Sequence, residues 1–124
     1  ARRGRHAPAC RTGRLRGSAR ARLLLTAGCM CGIFGLIALP QAGLDRAACT
    51  TLLDELFRRS ESRGREAAGL AIRYQDQLSV FKKPLAASEM IKRADYQRML
   101  GTAIPDRRLT GPLAVIGHSR LVTN

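Results

Sequence analysis

From Cys31 to Leu39 the chain is apolar except for its glycines, and Pro40 ends the run. This pattern predicts a buried strand. Asp45 then stands as a helix N-cap, and Leu44, Ala47, Ala48, Leu52, Leu56 and Phe57 follow at helical spacing. Asp54, Glu55, Arg58 and Arg59 fall mostly on the opposite side, which predicts an amphipathic helix of about four turns. Gly64 is placed to stop it and open a tight turn. Leu70, Ile72 and Tyr74 alternate, as do Leu78 and Val80, across a short Gln75-Asp76 link. That spacing predicts a hairpin. After Pro84, Ser88 is a cap for a helix presenting Met90, Ile91 and Ala94, extended by Tyr96, Met99 and Leu100 and stopped by Gly101. A basic, turn-rich loop from Pro105 to Gly111 leads into Leu113–Gly117, a continuous apolar strand of the kind buried on both faces. The predicted order is strand, helix, strand, strand, helix, strand, without internal repeats.

Residues 1–29 have neither periodicity and carry eight arginines and no acid. Four readings fit them. One is an Arg-rich targeting peptide. The second is a lipoprotein signal ending in Leu25-Thr26-Ala27-Gly28-Cys29, whose apolar core is shorter than the roughly 7–15 residues needed. The third is a short propeptide. The fourth, adopted here, is disordered sequence upstream of a true start at Met30. Both ends read as cut, so residues 30–124 are taken as the N-terminal part of one domain.

Composition alters this picture little. The 124 residues suffice for one small domain, and 45% apolar content can form a core. The formal charge of +13 belongs largely to the first 29 residues; the rest carries a net +5. That segment has no aromatic side chain on which a base could stack, which argues against nucleic acid as a partner. Cys10, Cys29, Cys31 and Cys49 have no regular spacing, so neither a disulfide framework nor a metal site is expected. No apolar run has the length of a membrane span, and a cytoplasmic location is expected.

Candidate chemistry concentrates in three stretches. In Met30-Cys31-Gly32-Ile33-Phe34-Gly35, loss of Met30 would leave Cys31 with a thiol and a free α-amino group on one residue. Arg63-Gly64-Arg65-Glu66-Ala67-Ala68-Gly69-Leu70-Ala71 follows the first helix. Gly117-His118-Ser119-Arg120-Leu121-Val122-Thr123-Asn124 ends the last strand. Together these resemble, in order, three landmarks of class II glutamine amidotransferases, closest to the glutaminase domain of the glucosamine-6-phosphate synthase type. The resemblance implies an α+β N-terminal-nucleophile hydrolase fold, a four-layer αββα sandwich of two antiparallel sheets. It also implies a catalytic Cys31 at the mature N-terminus, and Arg120 and Thr123 as binders of the substrate glutamine. Arg63 and Gly64 are expected to be structural, with Arg63 and Glu66 as a buried ion pair. His118 is expected to support the strand end.

The residue types suit this chemistry. A carboxamide is unreactive, so its hydrolysis gains from a thioester intermediate. An α-amino group has a reference pKa near 8 and a thiol one near 8.5, so proton transfer between them is nearly isoenergetic and suits the amine to act as base. A guanidinium fork can hold the α-carboxylate of glutamine in two hydrogen bonds. No cofactor and no metal are required. The ammonia would pass to an acceptor such as a sugar phosphate, held by a domain beyond Asn124; the resemblance allows a homo-oligomer in the full-length form.

The sequence departs from the sugar-amidating pattern at several positions. Leu121 stands where an aromatic is common, Asn124 where a histidine is common, and Arg65-Glu66-Ala67 where an Asp-Ser pair is frequent. Ala67-Ala68 is closer to the purine-pathway branch, and Arg65 replaces the proline usual in the asparagine-synthetase branch. An amidophosphoribosyltransferase-like or asparagine-synthetase-like enzyme, or another N-terminal-nucleophile amidohydrolase, therefore remains open. The family's oxyanion-hole Asn-Gly pair and the acid that grips the substrate's α-amino group are expected after Asn124. Since one oxyanion donor is worth roughly a hundred- to a thousand-fold in rate, little glutaminase activity is expected of residues 31–124 alone.

Overall fold

The computed structural model describes residues 31–121. They form a small α+β domain with one four-stranded antiparallel sheet. Strand β1 (Cys31–Ala38) leads through a short 3-10 turn to helix α1 (Arg46–Ser60) and a second 3-10 turn (Glu61–Arg63). Strands β2 (Ala67–Tyr74) and β3 (Gln77–Lys83) form a hairpin, followed by helices α2 (Ala87–Met90) and α3 (Ala94–Ala103) and strand β4 (Leu113–Arg120). The order across the sheet is β1-β4-β2-β3, so the last strand lies between the first two.

Each element has a local cause. Asp45 caps α1, its Oδ1 accepting the Ala48 N–H at 2.9 Å. Its buried positions are Cys49, Leu53, Phe57 and Ser60, whereas Leu52 is exposed, so the helix is rotated from the face that the Leu52 spacing predicts. Packing of Phe57 fixes the rotation: its ring meets Phe34 of β1 edge-on at 4.8 Å and Tyr96 of α3 at 6.2 Å. The hairpin turns through Gln75 in the left-handed region, at φ 54°.

The second helical region breaks in two. Ser88 is not a cap; its N–H donates to Glu61 Oε2 at 2.7 Å, and Ala86 precedes the short α2. Gly101 does not stop α3, which runs on to Ala103. Its last carbonyls are held from α1, where the Arg46 guanidinium donates to Ile104 O at 2.7 Å and Gly101 O at 2.9 Å. A cation at a helix C-terminus also complements the dipole there.

All three helices pack on one face of the sheet, against Phe34, Ala38, Ala68, Leu70, Ile72, Leu113 and Val115. Among the described residues, no element covers the opposite face. Ile33, Ile37, Leu78, Val80 and Ile116 stand on it, 56–76% exposed. β4 is therefore buried on one face only, not on both as its continuous apolar run predicts.

Candidate active site

Cys31 and Arg120 are 89 residues apart in sequence and directly opposite one another on β1 and β4. Ala67 of β2 flanks Arg120 on the other side. Side chains at such positions share a face with Cβ atoms about 4.5–5.5 Å apart. Both Cys31 and Arg120 are exposed, and both belong to the open face. The fold thus brings together two of the three residues singled out from sequence. The third, Thr123, lies outside the described residues.

One row further along the same face, His118 is flanked by Ile33 and Gly69, and Lys82 lies beyond Gly69. Gly69 makes room for the imidazole: a Cβ there would lie 3.1 Å from His118 Nε2. Burial depresses the His118 pKa, and the Lys82 and Arg120 charges push it the same way. The ring is thus neutral at neutral pH between two cations. On the strand positions of this face, Arg73, Lys82 and Arg120 carry positive charge and no acid accompanies them.

Beneath the row, α1 is pressed against the sheet. Gly32, Ser119 and Ala68 are neighbours on the helix-covered side. A Cβ on Gly32 would come within 2.6 Å of Ser60 O, so only glycine admits the end of α1 at this depth. Ser60 and Ser119 are both buried, with Oγ atoms 2.6 Å apart. Ser60 Oγ also lies 2.9 Å from Phe57 O, to which it donates. A hydroxyl has one proton, so Ser119 is the donor to Ser60.

The chain then wraps round the end of β4. A Cβ on Gly64 would lie 2.2–2.3 Å from the Arg120–Leu121 peptide, and the Glu66 N–H donates to Arg120 O at 3.1 Å. Gly64 is extended, at φ 176°, so its role is steric clearance and not the tight turn predicted. Glu66 is exposed and not buried as predicted; the turn carries an Arg65–Glu61 ion pair at 3.0 Å. Burial works against the Glu61 charge, but the Ser88 N–H and Arg65 outweigh it and lower the pKa.

The sequence reading missed Ser60 and Ser119. Strand alternation through Leu113, Val115 and Gly117 points Ser119 inward, and a polar residue on an inward position demands a partner. Ser60 is spaced one helical turn from Phe57, which marks it as facing the same core. Among the described residues no group of three His, Cys, Asp or Glu could hold a metal ion, and no helix is long and apolar enough to cross a membrane. No protein-family model, curated protein or solved structure matches the chain.

Proposed function

We propose that the chain is the N-terminal part of the glutaminase half of an amidotransferase, with Cys31 as nucleophile and Arg120 as the substrate's anchor. The observation that carries this reading is the cross-strand pairing of Cys31 with Arg120 on the open face. Glutamine has a carboxylate at one end and a carboxamide at the other, and the site sets a cation beside a thiol. In the proposed reaction the α-amine of Cys31, freed by loss of Met30, takes the thiol proton. Sγ then attacks the amide carbon, the amine returns the proton to the departing nitrogen, and ammonia leaves with a thioester formed. Water next adds to the thioester carbon as the amine accepts its proton, and collapse releases glutamate and the Cys31 thiol. Thr123 is proposed to contact the same substrate.

The open apolar face supports the finer architecture. Five large apolar side chains stand on this one sheet face, 56–76% exposed, and a contiguous exposed apolar patch commonly marks a surface that another element or partner covers. A second antiparallel sheet stacked about 10 Å above them would complete an αββα sandwich and enclose the Cys31 row. The acceptor, an entity such as a sugar phosphate, would be bound by a further domain, in a cytoplasmic enzyme. A hydrolase without a synthase partner is the second reading; the presence of an acceptor-binding domain distinguishes the two.

The test is covalent labelling of the full-length protein with a diazoketone analogue of glutamine. The proposal expects one adduct, on Cys31, slowed by excess glutamine and absent from Cys31→Ser. Labelling that persists in Cys31→Ser, or no labelling of the unmodified protein, contradicts it.

A further inference from the structure

We infer that segment 60–66 is a positioning strap for Arg120, with Ser60 and Gly64 as its positioning residues and Ser119 as the positioning residue on β4 that Ser60 holds; the inference rests on the function proposed above. Three contacts converge on the last residues of β4 from this segment alone. The Ser60–Ser119 hydrogen bond of 2.6 Å fixes the depth of the residue before Arg120. Glu66 N–H fixes the carbonyl of Arg120 itself at 3.1 Å. Gly64 closes the gap beside the peptide that follows, where no Cβ fits.

The strap has its own anchors. Glu61, at its start, is held by the Ser88 N–H at 2.7 Å and by Arg65 at 3.0 Å. Ser60 is tied to the last turn of α1 through Phe57 O at 2.9 Å, and the Phe57 ring is locked into the aromatic core. A rigid path therefore runs from core to strap to the backbone of Arg120. The strap touches the helix-covered side and the end of β4, not the open face. Ser60 and Arg63 also pack on Gly32, next to Cys31, so an effect on Arg120 is told from one on the nucleophile by comparing two reagents. This also gives a physical reason for two motifs about 50 residues apart in the sequence to belong together: one holds the other.

A long, exposed side chain on a strand end would otherwise fray. A guanidinium recognises a carboxylate through a fork of fixed geometry, and displacement by about 1 Å can cost roughly a hundredfold. The strap supplies the backbone half of that precision.

The experiment compares two reagents on the full-length protein: the diazoketone analogue, which carries the α-carboxylate, and iodoacetamide, which has none. Ser119→Ala is expected to slow labelling of Cys31 by the analogue roughly tenfold or more, while iodoacetamide reacts within about twofold of the unmodified rate. Ser119→Thr, which keeps the hydroxyl, is expected to restore the analogue. Should Ser119→Ala fail to fold, Ser60→Ala removes the same hydrogen bond from the helix side and is read by the same ratio. An unchanged ratio, or equal loss with both reagents, overturns the strap. Failure of the unmodified protein to take up the analogue overturns the glutaminase reading instead.

Discussion

Arg120 is exposed at the end of a central strand, between Cys31 and Ala67 on the neighbouring strands, with its carbonyl held by the Glu66 N–H. If its fork binds the α-carboxylate, Arg120→Lys keeps the charge and loses the paired geometry. Under the proposed function, the expected outcome is a KM for glutamine raised about tenfold or more, with a smaller change in kcat, measured as ammonia release by the full-length protein. His118 adds a pH dependence. Its folded-state pKa lies below the ordinary value near 6.5 because of burial and the neighbouring Lys82 and Arg120 charges. As pH falls, the unfolded chain takes up the proton first, so stability is full above about 6.5 and is lost from there down through the folded value. Denaturant titrations between pH 7.5 and 5 are expected to show this loss, and His118→Gln is expected to flatten it. An unchanged slope in the variant contradicts the placement of the ring between two cations.

Among the elements, α1 supports the end of β4 through Ser60 on its last turn and carries an electrostatic cost in its middle. Among the described residues, neither Asp54 Oδ1 nor the Tyr96 hydroxyl of α3, both buried, has a partner within hydrogen-bond geometry, although the two groups are close enough to influence one another. Burial raises the Asp54 pKa, against the opposing pull of Arg58 and Tyr96, and burial followed by the Asp54 charge raises that of Tyr96. A carboxyl whose folded value is raised stabilises below its unfolded value near 3.9 and loses that contribution as pH rises through the folded one. Asp54→Asn is therefore expected to raise the Tm at pH 7 by a few degrees and to leave it nearly unchanged near pH 3; a lower Tm at pH 7 contradicts this. The existence and order of the elements were legible because Cys31–Leu39, the alternation at Leu70 and Ile72, and the Asp45 cap are local signals. The rotation of α1 was not, since Leu52 and Leu53 both fit a helix and only the Phe34–Phe57–Tyr96 packing chooses between them. Gly101 misled for a similar reason: Arg46, 55 residues away, satisfies the helix end that a glycine commonly terminates.

On the scale of the molecule, a one-sided sheet is the main result. The helices bury one face around Phe57, Leu53 and Ile72, and the other presents Ile33, Ile37, Leu78, Val80 and Ile116 together with the Cys31–Arg120 row. The apolar run of β4 gave the strand but not the open side, because alternation cannot be seen where both faces are apolar. Cys31 and Arg120 were legible as residue types suited to an amide substrate, while their adjacency is a product of the β1–β4 pairing and the Ser60–Ser119 contact of the fold. The proposed mechanism depends most on the α-amine of Cys31 being free, since an amide nitrogen cannot serve as the base. Intact mass and N-terminal sequencing of the protein expressed from its own gene test this directly. The account predicts a chain whose first residue is Cys31; a stable, glutamine-hydrolysing chain that still carries residues ahead of Cys31 contradicts it.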